Sequence, residues 1–313
     1  MEPTVQFPLL SSLRPRQWTK NLVILAALLF SEKHLLNNLM ALLNVGAGML
    51  VFCGLSGCVY LVNDIVDCQR DRRHPAKILR PIAAGILPIW KAKLAAVVIF
   101  VVCLGCAALL PPMFFFTAIL FLILNFAYSF WLKNIVILDV ICIALSFVLR
   151  AQAGVGALRF VEPGILMSNW LLICTFLLAL FLALAKRRQE ISKLQGEASL
   201  VRESLQDYSP HFIDEMTGIV CSATLIAYTI YTVSPETTHK FGTDALVYTV
   251  PPVLYGIFRY LYLIHIKELG DNPSEVVLSD RPLQMTLLAW LLIVLLALHF
   301  PALTSWFSPH LKG

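Results

Sequence analysis

The sequence predicts an all-α polytopic membrane protein: about nine transmembrane helices in one bundle, with polar cap segments at one end. Three observations predict it. Of the 313 residues, 58% are hydrophobic and only 14% charged, where a soluble protein carries about a quarter charged residues. Apolar runs of about 20 residues, the length a helix needs to cross a bilayer, recur along the chain. No alternation of apolar and polar residues recurs in the manner of a barrel, which argues against a membrane β-barrel. The net charge of +5 is modest, and no basic domain with interleaved exposed aromatics exists, so nucleic acid is not an expected partner.

In chain order, residues 1–20 end in LRPRQWTKN, a basic lead-in with Trp18 at the membrane surface and Arg14, Arg16 and Lys20 holding the tail on the cytoplasmic side. The apolar run that follows lacks a small-residue cleavage pattern, so it is expected to insert and stay. Spans are predicted at 21–38, 39–63, 92–110, 113–132, 136–157, 165–185, 217–235, 244–264 and 283–302. The first is interrupted by Ser31, Glu32, Lys33 and His34. Gly46, Gly48, Gly54 and Gly57 permit close packing of the second. The segments 64–91, 186–216 and 265–282 are expected caps, with a short link at 133–135, all within a single integral-membrane domain over 1–313. This arrangement puts 19 of the 24 lysines and arginines on the side of the N-terminus and four on the other. That asymmetry orients the caps toward the cytoplasm, as in a bacterial inner membrane. The eight cysteines lie almost entirely in apolar runs. Cys103 and Cys106 form a CxxC in mid-span, where small packing residues are the expected reading rather than a zinc or redox site. No span declares itself an interface, and a homo-oligomer remains open.

The chain is organised around Asn63–Gly85, NDIVDCQRDRRHPAKILRPIAAG. A charged stretch between two spans is most often a solvated loop. Here the acids begin inside the helical pattern, directly after LSGCVYLVN, and are regularly spaced. Asp64, Asp67 and Asp71 stand at i, i+3 and i+7, which on a helix places them within roughly 60° of one face. Carboxylates so stacked repel unless a cation sits among them, and Mg²⁺ commonly joins a few carboxylates to substrate phosphates. Arg72, Arg73, Lys77 and Arg80 follow and suit phosphate oxygens. Ionisable residues within or at the ends of spans are costly and point to function. Asp139 and Arg150 qualify, with Tyr128 and Lys133 just before them. Lys186, Arg187 and Arg188 close the sixth span, as a site or as ordinary membrane anchoring.

The pattern NDxxDxxxDRxHPxKxxRPIAAG at 63–85 resembles the first aspartate-rich motif of the UbiA superfamily of intramembrane prenyltransferases. LRPRQWTKN (13–21), LKNIVILDVICIALSFVLRAQAG (132–154), LAKRRQEI (184–191) and GDNPSEVVLSDRPLQ (270–284) are similar to its polyprenyl-phosphate phosphoribosyltransferases. The resemblance implies nine spans with cytoplasmic caps, and transfer of phosphoribose from phosphoribosyl pyrophosphate to a polyprenyl phosphate of the bilayer, releasing pyrophosphate. It implies that Asp64, Asp67 and Asp71, with Asn63, hold Mg²⁺ against the donor's pyrophosphate. Arg73, Lys77 and Arg80 would grip phosphates, with Lys186, Arg187 and Arg188 approaching from the other half. Lys20, Lys133 and Arg150 would hold the lipid phosphate or the ribose 5-phosphate, oriented by Tyr128 and Asp139. Two other readings compete. A prenyltransferase joining an isoprenyl diphosphate to an aromatic acceptor would use the same first motif, but two phosphate-bearing substrates better account for the extra basic residues. A transporter would place its charges near mid-membrane, whereas here they crowd one rim.

Overall fold

The computed structural model describes residues 7–31, 33–73, 77–194, 207–267 and 273–299. His74 of the motif, residues 1–6, 195–206 and 268–272 of the lead-in and caps, and the chain from 300 onward, including Lys312, lie outside the described residues.

Eight helices are long and apolar enough to span a membrane, and the described residues contain no strand. α1 (Pro8–Ser12), a 3-10 helix (Pro15–Leu25), α2 (Ala26–Leu29) and α3 (Lys33–Leu36) lead in. α4 (Leu39–Val66), α5 (Cys68–Asp71), α6 (Ile89–Ala108), α7 (Pro112–Phe130), α8 (Leu138–Leu158) and α9 (Asn169–Leu194) follow. The chain continues with α10 (Pro210–Val233), α11 (Pro235–Phe241), α12 (Val250–His265, preceded by a 3-10 turn, Ala245–Thr249), α13 (Pro273–Ser279) and α14 (Arg281–His299). The predicted spans from 39–63 onward match the eight long helices to within a few residues at most ends. The span predicted at 21–38 does not form as one helix. Arg14 adopts a left-handed backbone (φ 52°) before Pro15, and the chain runs on as the 3-10 helix and two one-turn helices.

That irregular run is seated against α8. A Cβ on Gly154 would collide with the Ile24 carbonyl oxygen, so only glycine admits the approach. Asn38 caps α4, its side chain accepting from the Met40 and Ala41 amides, which satisfies two donors that no helical turn can reach. α4 and α8 are the central helices: 61% of the apolar stretch of each is buried, against 11% for α6. Phe52 of α4 meets Phe114 and Phe121 of α7 with ring centroids 5.6 and 4.9 Å apart. The second half packs around Phe181, Tyr260 and Leu263. Gly48 opposes Phe114, Gly54 opposes Cys103 and Gly57 opposes Leu13, as close packing requires, whereas Gly46 faces open space. Leu94, Val97, Val98 and Val101 of α6 are exposed, an apolar surface suited to lipid rather than water.

Because the spanning helices alternate in direction, the end of α4 and α5, the start of α6, the end of α7, the start of α8 and the end of α9 meet at one end of the bundle. The KRRQEISKL run (186–194), expected as part of a separate cap, is instead the last turns of α9.

Candidate active site

The acidic motif sits where the central helix runs out. α4 stops at Val66, Asp67 forms its C-terminal cap, and α5 carries the chain to Asp71. The predicted single stack of carboxylates is therefore divided by a turn. Asp64 and Asp71, both buried, face each other across it: Nη1 of Arg80 lies 3.0 Å from Asp64 Oδ1 and 2.6 Å from Asp71 Oδ2. Arg14 also donates to Asp64 Oδ1. Asp67 turns to the next corner, where the buried Lys133 donates to it at 2.5 Å. Burial pushes the Asp71 carboxyl above the usual range, against the pull of Arg80. Among the described residues no three His, Cys, Asp or Glu side chains converge as a metal cage. The donor chemistry nevertheless fits a hard divalent ion, since two carboxylates already enclose one cationic nitrogen and phosphate or water can supply further oxygens.

The other basic residues of the motif divide. Arg72 donates to the Ala83 carbonyl at 3.2 Å, Arg73 is exposed, and Lys77 is half-buried in a one-turn 3-10 helix. The following loop is anchored by buried Ile82 and reverses at Gly85, whose φ of 77° glycine adopts without steric cost. Asn63 is half-buried, its carbonyl accepting from the Asp67 amide.

Opposite this wall stands a second network. Asp139, fully buried in the first turn of α8, accepts from Arg187 Nε at 2.7 Å and from the Tyr208 hydroxyl at 2.8 Å. Arg187 also donates to Glu190 and, at 3.3 Å, to Tyr128. The Tyr208 oxygen in turn accepts from the Ile137 amide at 2.7 Å. Ile137 has a positive φ (70°, with ψ −46°) and centres a tight turn in which the Leu138 amide donates to the Val136 carbonyl at 2.8 Å, a costly state for a β-branched residue. Burial and the neighbouring Asp139 raise the Tyr208 phenol, which keeps it a donor. Lys186 lies 3.7 Å from Glu190, and Arg188 pairs with Asp214 at 2.9 Å.

Between the two walls lie Lys20 and Arg150. Arg150 is buried, with Nε to Asn21 Oδ1 at 2.8 Å and Nη1 to the carbonyl and hydroxyl of Ser146 at 2.9 and 2.8 Å. Its Nη2 meets Ser56 Oγ at 3.4 Å, and its guanidinium stacks on Phe121 and Phe147. Lys20 is half-buried and close enough to Arg150, Arg14 and Lys186 to be repelled by each. Burial first, and then Arg150 and Arg14, pull its ammonium down to about 7.

The structure thus gathers Asp64, Asp71 and Arg80; Asp67 and Lys133; Tyr128, Asp139 and Arg187; and Lys20, Arg150 and Lys186. It leaves Arg73 at the surface and ties Arg188 to Asp214. Sequence reasoning missed Tyr60, Asn21, Glu190 and Tyr208, and took Arg14 as an anchor only. Tyr60, one turn before Asp64, carries the Arg14 guanidinium over its ring at 5.0 Å, and that i, i+4 spacing was readable. Tyr208 gave no local signal.

Fold and site together define an integral-membrane enzyme, a helical-bundle transferase whose ionisable residues gather at one end. The chain belongs to the UbiA prenyltransferase family, whose family model matches residues 21–276. It is 31% identical to the decaprenyl-phosphate phosphoribosyltransferase of Corynebacterium glutamicum, over 93% of this chain and 86% of that one. It is 30% identical to the enzyme of the same name from Mycolicibacterium smegmatis, over 93% and 92%. Among solved structures, a UbiA homolog from Archaeoglobus fulgidus bound to GPP and Mg²⁺ superposes with a TM-score of 0.67 at 18% identity, over 92% of this chain and 98% of that one. That likeness shows the fold.

Proposed function

We propose that the protein transfers 5-phosphoribose from phosphoribosyl pyrophosphate to a polyprenyl phosphate, giving polyprenyl-phosphoryl-phosphoribose and pyrophosphate. The observation that carries this reading is the pairing of a carboxylate wall with a second, carboxylate-poor basic region on Lys20 and Arg150. A diphosphate and a neutral aromatic ring need only the first; two phosphate-bearing substrates need both. The names of the relatives at about 30% identity point the same way.

In this reading Asp64, Asp67 and Asp71 hold the metal, beside Asn63. Mg²⁺ bound there supplies neutralisation of the leaving diphosphate. Arg80 and Lys77 lie on the same side for the diphosphate oxygens. Arg187, fixed by Asp139, Glu190 and Tyr128, presents a fixed positive charge from the opposite wall. An oxygen of the acceptor phosphate attacks the anomeric carbon, and the bond from that carbon to the pyrophosphate oxygen breaks, the electron pair leaving with pyrophosphate. The attacking phosphate is already anionic, so no strong general base is required. Positioning and charge stabilisation carry the rate. The distribution of lysine and arginine supports an orientation of this end toward the cytoplasm; in this reading the membrane is a bacterial inner membrane, and the polyprenyl tail enters from the bilayer.

The test is label transfer from radioactive phosphoribosyl pyrophosphate into the organic phase, with purified protein, Mg²⁺ and a polyprenyl phosphate. Wild type transfers label and Asp67→Asn does not. No transfer, together with turnover of an isoprenyl diphosphate and an aromatic acceptor, moves the chain to prenyl transfer.

A further inference from the structure

The turn that carries Arg80 to the carboxylate wall has a second face. Inward it buries Pro81, Ile82, Ala83 and Leu87. It closes on itself through the amides of Ala84, Gly85 and Leu87, which donate to the carbonyls of Arg80, Ile82 and Pro81 at 2.8, 3.2 and 2.8 Å. Outward it exposes Ile78, Leu79 and Ile86. The first turns of α6 continue that surface with Ile89, Trp90 and Leu94, all exposed. So many large apolar side chains in one short stretch are costly in water. They are at home at the boundary of a bilayer, and α6 is the spanning helix whose apolar stretch is least buried in protein.

Cations flank this surface with no acid to answer them. No Asp or Glu occurs from residue 72 to residue 138. Lys91 and Lys93 are exposed, and Lys91 Nζ lies 5.4 Å from the centroid of the Trp90 ring, which folds the ammonium back beside the indole. Arg72 Nε donates to the Ala83 carbonyl at 3.2 Å while the residue stays exposed, so its stem is pinned to the turn and the end of its fork is available. Among the described residues no ion pair joins Arg72, Lys91 or Lys93 to a carboxylate. Tryptophan settles at headgroup level, and lysine and arginine at the end of a span reach the same depth. Each such cation favours an anionic surface over a neutral one. An anionic phospholipid supplies hydrocarbon for Ile86, Trp90 and Leu94 and negative charge for the three cations. A neutral lipid answers only the apolar part, and a soluble phosphate only the charged part.

We propose that the outer face of residues 77–87 and the start of α6 form a binding site for anionic phospholipid, on the lipid side of the bundle and apart from the carboxylate wall. The site goes beyond the transfer reaction and does not depend on which substrates that reaction uses. The lipid rests on the outer face of the turn whose inner face presents Arg80 to Asp64 and Asp71 at 3.0 and 2.6 Å. The charge of the bilayer therefore steadies that turn from outside.

The experiment uses the full-length protein, without substrate, in nanodiscs of phosphatidylcholine doped with brominated phosphatidylglycerol or brominated phosphatidylcholine. The Trp90 fluorescence is the difference between wild type and Trp90→Phe. Brominated phosphatidylglycerol quenches it at a mole fraction about tenfold lower than brominated phosphatidylcholine does, and Lys91→Gln/Lys93→Gln reduces that preference by at least about fivefold. Both lysines are exposed, so the double variant keeps the fold, and the quenching of the other tryptophans stays as in wild type. Hydrogen exchange at the Ala84, Gly85 and Leu87 amides slows by about threefold when phosphatidylglycerol is added to neutral discs, and does not respond in the double variant. Equal quenching of Trp90 by the two lipids overturns the site, as does a preference that survives the double substitution. Soluble glycerol 3-phosphate slowing exchange in neutral discs as much as the lipid does overturns the lipid as occupant. A change of oligomeric state in the double variant, with no lipid preference in wild type, assigns the face to a second copy of the chain and likewise overturns the site. Exchange that ignores phosphatidylglycerol in wild type overturns the steadying of the turn.

Discussion

Tyr208 offers the sharpest perturbation, because one oxygen atom serves two strained or charged neighbours. Tyr208→Phe removes the donor to Asp139 Oδ1 and the acceptor for the Ile137 amide while keeping the ring stacked on Phe212. A hydrogen bond to a charged group contributes about 1.5–3 kcal/mol net, and a neutral one about 1 kcal/mol. That amide belongs to Ile137, whose φ of 70° is a conformation costing on the order of 1–3 kcal/mol and is spanned also by the bond from the Leu138 amide to the Val136 carbonyl at 2.8 Å. Released, Ile137 relaxes toward ordinary backbone and the first turn of α8 moves with it. Asp139 then loses its fixed position, and Arg187 its orientation. The expected loss is about 2–3 kcal/mol, or roughly 30- to 150-fold in kcat/KM. The assay is label transfer with wild type, Tyr208→Phe, Asp139→Asn and the double variant. Because the hydroxyl acts through Asp139, the double variant is little worse than Asp139→Asn, with a coupling of at least about 1 kcal/mol. Strict additivity, or a Tyr208→Phe enzyme within twofold of wild type, would refute the relay.

Three further outcomes follow from the same geometry. Arg80→Gln removes the charge shared by Asp64 and Asp71; Mn²⁺ binding to the substrate-free protein, read by electron paramagnetic resonance, becomes tighter, and unchanged affinity would show that Arg80 does not compete with metal. Lys20, held at about 7 in the free protein, is raised by a bound phosphate, so affinity is fully present below pH 7 and is lost as pH rises through the higher bound-state value. Titration of ribose 5-phosphate or geranyl phosphate between pH 7 and 9 shows several-fold weakening in wild type and a shallower profile in Lys20→Met, where the ammonium of Lys186 stays nearby. Asp280 accepts from the Leu283 amide at the start of α14 and pairs with Arg259 of α12 at 2.8 Å; Asp280→Ala lowers stability by about 1 kcal/mol through loss of the cap, and leaves KM for the donor unchanged.

The spanning helices were legible because a bilayer demands long apolar runs, and the runs from 39 onward became helices. The first was read as a single span although its interruption at Ser31–His34 was apparent, and the Arg14–Pro15 corner before it gave no periodic signal. The chain there runs as a 3-10 helix and two one-turn helices, and Gly154 supplies the seat for it. The importance of 63–85 was legible from regular acidic spacing, but the turn at Asp67 was not, so one face became two. Arg14 illustrates a general blindness: fifty residues separate it from Asp64, and no local pattern announces a contact of that range. Tyr208 was hidden for the same reason, and Arg150 showed that it was buried without showing what it faced.

The guanidinium shared by Asp64 and Asp71, with Arg14 and Lys133 beside it, bears on biogenesis. A cluster of bare aspartates at the end of a membrane helix would burden insertion and wait on metal to become tolerable. Here the chain brings its own counter-ions from three different segments, so the end of the bundle closes electrically as the helices assemble. On the proposed metal binding, assembly needs no metallation step, and the expected effect of a chelator is to leave the helical fold intact, in contrast to proteins that fold only with their metal.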